Sequence, residues 1–236
     1  MSFYNEYRPR KFADVVGHTR VVASLRHQVL SQMFHHAYLF TGYSGTGKTT
    51  CARILAAALC CTSLDGTGEP CGECPSCKGV FSGKYWDFYE MDAARFRGVG
   101  DIEEILDKVS LYPLGKHKIY VIDECHMLTE LAWNCLLKTL EEPPSYFVIM
   151  LCTTEHKKVP ETVRSRCHAS HFERLTDDEI RIKLQRICDT IGFAPASARL
   201  EYAVQTRGNL REAETRLEQV YTEYVAQSIA RAKGGR

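Results

Sequence analysis

The chain has 236 residues, 44% hydrophobic and 25% charged, an ordinary globular composition with room for one large domain or two small ones. Thirty Lys and Arg against 29 Asp and Glu give a formal net charge of +1, which excludes a histone-like polycation and an acidic-tail protein but not a local basic patch. The cysteine count of 11 is odd, so complete pairing within the chain is impossible; with no signal peptide in the polar opening and no apolar run of bilayer length, the expectation is a cytoplasmic protein without membrane contact, its thiols reduced, buried or metal-bound.

The stretch Tyr7–His18 reads as a loop by its Pro9 and its charges, and Val21, Val22, Leu25 and Val29 then recur with helical spacing. Ala37–Thr41 reads as a short buried strand that runs directly into the glycine-rich Gly42–Thr50 and a helix over Cys51–Leu59. The segment Cys60–Gly83 breaks this rhythm: it is rich in Gly, Pro, Ser and Cys, lacks useful periodicity, and is longer than an unsupported loop in a compact domain. Beyond it come strands at Asp87–Met91, Lys118–Ile122 and Tyr146–Cys152, helices at Asp101–Leu111 and Glu130–Glu142, and two short elements ending near Phe172. The strands are continuous apolar runs rather than alternations, the pattern of a parallel sheet covered on both faces. From Thr176 the pattern is purely helical, over 176–191, 196–206 and 209–232, which puts a domain boundary near Glu173 and Arg174. The tail Ala232–Arg236 reads as a linker.

Gly42-x-x-x-x-Gly47-Lys48-Thr49 matches the nucleotide-binding loop in full, with a strand before it and a helix after it. Consecutive backbone N–H groups over Gly42, Ser44, Gly45, Thr46, Gly47, Lys48, Thr49 and Thr50 can wrap a polyphosphate, because glycines leave the approach open. Lys48 would reach the outer phosphates and the Thr49 hydroxyl would coordinate Mg²⁺. Asp123, ending an apolar strand, can complete the Mg²⁺ shell, and the adjacent Glu124 can deprotonate a water; this pair favours an ATPase over a GTP switch. His126 reads as structural. Cys71-x-x-Cys74-x-x-Cys77 supplies three thiolates at metal-knuckle spacing, read as Zn²⁺ before free thiols or an iron–sulfur cluster. A metal would supply the free energy to order a loop with so few apolar residues.

Taken together, Arg8-Pro-x-x-Phe12-x-Asp-Val-Val-Gly17, His35-His-Ala-Tyr-Leu-Phe40, the phosphate loop, the cysteine loop, Ile122-Asp-Glu-x-His-Met-Leu128, Leu136–Pro144, Cys152-Thr-Thr154, Ser165-Arg-Cys167 and Gly208-x-Leu-Arg211 resemble the bacterial DNA polymerase III gamma/tau subunits, the ATPases of the sliding-clamp loader within the AAA+ superfamily. The resemblance implies an α/β AAA+ P-loop ATPase with a five-stranded parallel sheet over residues 1–173, a zinc module inserted at about 60–80, and a three-helix lid over 174–236. No length is left for the family's collar domain, which implies a fragment or compact form and weakens the expectation that this chain alone closes a ring.

By match of residues, Arg166 resembles the arginine finger that acts on a neighbouring subunit's ATP, Thr154 (or Thr153) the first sensor and Arg211 the second, with Arg8, Val15 and Val16 beside the adenine and ribose. Cys61 is implied as the fourth zinc ligand, Cys60 being its neighbour and alternative; the spacer to Cys71 is one residue longer than the commonest family pattern. Arg95 and Arg97 are implied to face DNA and to bind its backbone without regard to sequence. The implied partners are other loader subunits, the sliding clamp and primer–template DNA, and no polymerase active site is recognisable. Two alternatives stand beside this reading: another DNA-associated AAA+ motor, and a non-hydrolysing zinc-containing scaffold subunit.

Overall fold

A computed structural model describes residues 2–234, with backbone alone for 231–234. In chain order the elements are α1 (Phe3–Glu6), α2 (Thr19–Ser31), β1 (Ala37–Gly42), α3 (Lys48–Cys60), α4 (Pro75–Ser82), β2 (Phe88–Asp92), α5 (Val99–Val109), β3 (Lys118–Asp123), α6 (Glu130–Glu141), β4 (Phe147–Thr153), α7 (Glu161–Arg164), β5 (His168–Phe172), α8 (Asp177–Ile191), α9 (Ser197–Val204) and α10 (Leu210–Gly234). They form two compact units. One comprises Pro9–Gly42 and Gly47–Phe172; the other comprises the chain up to Arg8, Tyr43–Thr46 and the chain from Glu173 on.

The first unit is built on a five-stranded sheet in the order β2-β3-β4-β1-β5, with every neighbouring pair parallel. The continuous apolar runs are explained by burial on both faces. All seven residues of β4 are buried, and they alternate. Val148, Met150 and Cys152 face a core shared with α2, α3 and α4. Phe147, Ile149 and Leu151 face a second core with α5 and α6. Each such side chain contributes roughly 1.5–3 kcal/mol when removed from water, so β4 anchors both layers. The sheet sets the site: β1, β3 and β4 end side by side, and the loops that carry the candidate chemistry leave from those ends.

Two helices, α1 and α4, were absent from the sequence expectation. Within the segment without periodicity, Pro75–Ser82 is helical. Its signals are caps rather than an apolar stripe. The Cys74 sulfur accepts the Cys77 N–H, Pro75 occupies the first turn, and Gly83 closes the helix at φ 68°.

In the second unit α8, α9 and α10 pack on one another around Leu184, Ile187, Ala203, Val204, Ala213 and Leu217, and Phe3 of α1 stacks on Tyr221 at 5.7 Å. Thr176 and Glu179 form a capping box at the start of α8, and Gly192 ends it in the left-handed region. The α10 backbone stays helical through Gly234, into the stretch expected as a linker; Gly235 and Arg236 lie outside the described residues. No helix among the described residues is long and apolar enough to cross a membrane.

Candidate nucleotide and metal sites

The phosphate loop begins where β1 runs out. Gly42 adopts φ 140°, and a Cβ there would lie 2.0 Å from the Phe172 carbonyl oxygen of the paired strand β5, so only glycine fits. Gly47 at φ 101° starts α3, whose first intrahelical bond runs from Cys51 N–H to the Gly47 carbonyl. The N–H groups of Lys48, Thr49 and Thr50 therefore project from the helix's N-terminal end, where the dipole favours an anion. Lys48 is buried, and its ammonium donates to the Gly42 carbonyl at 3.0 Å. The loop's tip belongs to the second unit. There the Leu210 N–H donates to the Gly45 carbonyl at 3.1 Å, Thr46 Oγ1 donates to the Tyr43 carbonyl at 2.8 Å, and Ser44 is exposed.

Thr49 Oγ1 donates to Asp123 Oδ2 at 2.8 Å, so α3 and the end of β3 bring together the two oxygens expected at Mg²⁺. Two ligands of one octahedral Mg²⁺ at about 2.1 Å lie roughly 3 Å apart, so this pair fits the ion. Glu124 sits at φ 48°, an uncommon left-handed position for a non-glycine residue, and starts a 3-10 turn over Cys125–Met127. Its N–H donates to Asp123 Oδ1 at 3.0 Å, and Thr154 Oγ1 donates to Glu124 Oε2 at 3.2 Å. Thr153, fully buried at the end of β4, is engaged differently: its Oγ1 accepts the Glu155 N–H at 2.9 Å and lies 3.0 Å from His126 Nδ1.

His126, read from the sequence as structural, lies against the acidic pair. It is almost fully buried, with Nδ1 3.4 Å from Glu124 Oε2 and Nε2 3.4 Å from Glu155 Oε1. It stands two residues after Glu124, where one tight turn returns the ring to the carboxylate.

The remaining candidates are dispersed. Arg166 donates to Glu141 Oε1 at 2.6 Å and to the Thr162 carbonyl at 2.7 Å, both within its own chain. In the second unit Arg211 donates to Tyr4 Oη at 2.8 Å and stacks on that ring at 4.4 Å, while Arg8 stacks on it at 5.6 Å. Burial pushes the nearby Glu214 carboxyl up to about 8, against the lowering pull of Lys183, Arg8 and Arg211. Val16 is buried and Val15 half-buried against the core that includes Phe12. Arg95 and Arg97 are both exposed between β2 and α5, Arg95 at 4.0 Å from Asp92.

The cysteine loop converges. The sulfurs of Cys61, Cys71, Cys74 and Cys77 all lie within 4.8 Å of one another, with Cys71 and Cys77 at 4.0 Å. A tetrahedral zinc with Zn–S of about 2.3 Å requires sulfurs roughly 3.8 Å apart, so the set fits. Backbone N–H groups aim at three of these sulfurs: Cys71 N at Cys61 (3.5 Å), Cys74 N at Cys71 (3.3 Å) and Cys77 N at Cys74 (3.4 Å). Burial raises the Cys74 thiol, but the hydrogen bonds from Cys77 and Thr62 outweigh it and bring it down to about 6. Cys60 ends α3 and points away, its sulfur 3.9 Å from the His117 carbonyl, and burial pushes its thiol up to about 12. Cys61, the extended residue that caps α3, is the one that turns into the cluster.

Residues 17–176 match the family model described as DNA polymerase III, delta subunit. The chain is similar to DNA polymerase III subunit tau of Bacillus subtilis, 42% identical over 220 residues, covering 92% of this chain and 39% of that protein. It is also similar to Protein STICHEL-like 1 of Arabidopsis thaliana, 39% identical over 223 residues, covering 93% of this chain and 20% of that protein. The chain thus spans well under half the length of these relatives. Among solved structures, the Thermotoga maritima RuvB Holliday junction branch migration motor superposes with a TM-score of 0.70 at 19% identity, over 94% of this chain and 67% of that one. That likeness is one of fold, the parallel five-stranded sheet with its flanking helices.

Proposed function

The chain belongs to the DNA polymerase III, delta subunit family, and from that membership we propose that it is an ATP-binding and ATP-hydrolysing subunit of a sliding-clamp loader. The observation that carries this reading is the hydrogen-bonded series Thr49–Asp123–Glu124–Thr154, which runs across the ends of β3 and β4 beside the start of α3. A scaffold subunit has no need of such a series, and Lys48 completes it.

In this reading Mg·ATP supplies the transferable phosphoryl group. Lys48 balances phosphate charge, the α3 N-terminus adds N–H donors, and Thr49 and Asp123 hold the ion. Glu124 accepts a proton from the attacking water, and Thr154 fixes the orientation of that carboxylate. Arg166 acts in trans on a neighbouring subunit's nucleotide, leaving its own Glu141 for that partner, and would couple turnover to assembly. Arg8, Val15, Val16 and Arg211 serve the nucleotide from the flanking segments. Zinc on Cys61, Cys71, Cys74 and Cys77 is structural. The partners are other loader subunits, the clamp and primer–template DNA, with Arg95 and Arg97 as salt-sensitive backbone contacts.

The test is ATP turnover by the assembled loader, with and without clamp and primed DNA. Stimulation by both, abolished by Lys48→Ala and by Glu124→Gln, is expected. Turnover indifferent to clamp and DNA would overturn the loader assignment, and turnover that survives both substitutions would overturn the site.

A further inference from the structure

The cysteine module does more than close on itself. Between Cys61 and Cys71 the chain makes an excursion whose last residues, Gly68, Glu69 and Pro70, are buried. Glu69 is 6% exposed, and its carboxylate is fully employed on a distant segment. Oε2 accepts the Phe12 N–H at 2.7 Å and Oε1 accepts the Ala13 N–H at 3.0 Å, across 57 and 56 residues of chain. These are two N–H groups at the start of a 3-10 turn over Phe12–Asp14, so the carboxylate caps that turn from outside. Arg26 of α2 neutralises it, with Nε 3.4 Å from Oε1.

The excursion is itself fixed on both sides. Asp65 Oδ1 accepts the N–H groups of Thr67 and Glu69, and the Arg26 guanidinium donates twice to the Thr67 carbonyl. Gly68 lies so close to α2 that a Cβ would fall 2.9 Å from Leu30 Cγ. One residue past Pro70 stands Cys71. Downstream of the capped turn the contact continues. Val15 packs on the core, and His18 meets Phe172 edge-to-face with ring centroids 4.9 Å apart. Phe172 is the register partner of Gly42, and its carbonyl is the atom that forbids a side chain at the loop's first glycine.

We propose that Glu69 is a positioning residue for nucleotide binding: through it the metal-bound cysteine module holds the Phe12–His18 segment against the strand pair that carries the phosphate loop, so that metal occupancy raises nucleotide affinity. This rests on the nucleotide-site reading above. The physical reason for the arrangement is that Phe12–His18 has no strand partner and little helix of its own. It needs an external acceptor for its N–H groups. Besides Asp65 and Arg26, the short tether to Cys71 holds Glu69 in place. A cysteine knuckle closed by metal keeps that tether short.

The test uses the purified, metal-loaded chain with a fluorescent ATP analogue, zinc content by chelator assay, and amide hydrogen exchange. Glu69→Ala is expected to weaken analogue binding about tenfold while zinc content stays at the wild-type value. Glu69→Gln, which keeps one acceptor oxygen and sets an NH₂ against the other N–H, is expected to fall between. In the wild-type chain, removal of the metal is expected to speed exchange at Phe12 and Ala13 and to weaken analogue binding by a similar factor. In Glu69→Gln that sensitivity to metal should shrink. Wild-type affinity in both variants, or unchanged exchange at those two amides on metal removal, overturns the inference and leaves the nucleotide site standing. A wild-type chain that binds no analogue, indistinguishable from Lys48→Ala, overturns both.

Discussion

Two adjacent threonines at the end of β4 have separable duties, and isosteric substitution separates them. Valine preserves threonine's volume and exchanges the hydroxyl for a methyl, so no cavity confuses the outcome. Thr153 is fully buried, and its oxygen serves both the Glu155 N–H at 2.9 Å and the His126 ring at 3.0 Å. Removing it leaves the Glu155 N–H without its acceptor and the His126 ring without its partner, at about 1–3 kcal/mol. For a chain of this size each 1 kcal/mol moves the melting temperature by roughly 2–4 °C, so Thr153→Val should melt some ~2–12 °C lower. Thr154 is half-buried and makes one 3.2 Å bond to a partly exposed carboxylate. Its loss should cost about 0.5 kcal/mol or less in stability. With Glu124 as the base proposed above, the same bond would orient its carboxylate for proton abstraction, and losing an oriented donor at a reacting group lowers turnover by roughly 10²-fold. The assay is paired: thermal melting of each purified variant, and single-turnover ATP hydrolysis in the assembled loader below either melting point. A Thr154→Val variant that melts early and turns over normally, or a Thr153→Val variant with the reverse profile, would refute the assignment of roles.

Three further outcomes follow from the same geometry. Cys61→Ser should lose the bound zinc and melt well below wild type, whereas Cys60→Ser should keep one zinc per chain, because only Cys61 faces the other three sulfurs; equal zinc loss in both would refute the ligand set. Burial first, with Lys116 beside the one and the His35 ring beside the other second, lowers the pKa of His117 and of His168, so the unfolded chain binds more protons than the folded one below the ordinary value of 6.5. Stability is then fully present above that value and falls as pH drops beneath it; melting followed from pH 7.5 to pH 5.5 should show the fall, and His168→Gln, which removes one ring of the stacked His35–His168 pair, should reduce its slope. Gly42→Ala should abolish nucleotide binding through a main-chain collision with Phe172 rather than through lost contacts, so binding that survives would show that the β1–β5 register yields there.

Much of the first unit is legible because its signals are local. Strands β1, β3 and β4 are apolar runs, helices α5 and α6 have a stripe, and the phosphate loop is a contiguous motif whose glycines announce their own backbone geometry. Legibility ends where the determining contact is distant or small. Helix α4 rests on a Cys74 cap, a proline in its first turn and a closing glycine, none of which makes an apolar period. Tyr43–Thr46 groups with the helical unit because the Gly45 carbonyl meets the Leu210 N–H 165 positions later (210 − 45), and nothing near Gly45 in sequence records that bond. The choice between Thr153 and Thr154 turns on which way alternate side chains leave β4. Strand parity sends Thr153 into the core behind Leu151, and that parity is fixed only once the register with β1 is known.

The cysteine loop shows the same division within a dozen residues. Its metal chemistry is written in spacing, since two Cys-x-x-Cys steps constrain geometry whatever surrounds them. Its docking is written in Glu69 and Gly68, and an isolated Glu-Pro in a polar loop has an obvious reading as a solvated surface charge. Burial reverses that reading. A carboxylate removed from water costs free energy unless donors replace the lost hydration, and here two N–H groups and Arg26 supply them. The sequence pattern can therefore locate a metal, while the structure is needed to show what the ordered loop grips. What it grips is the segment that packs through His18 on the strand pair at Gly42, and on this contact rests the proposal that the module braces the nucleotide site.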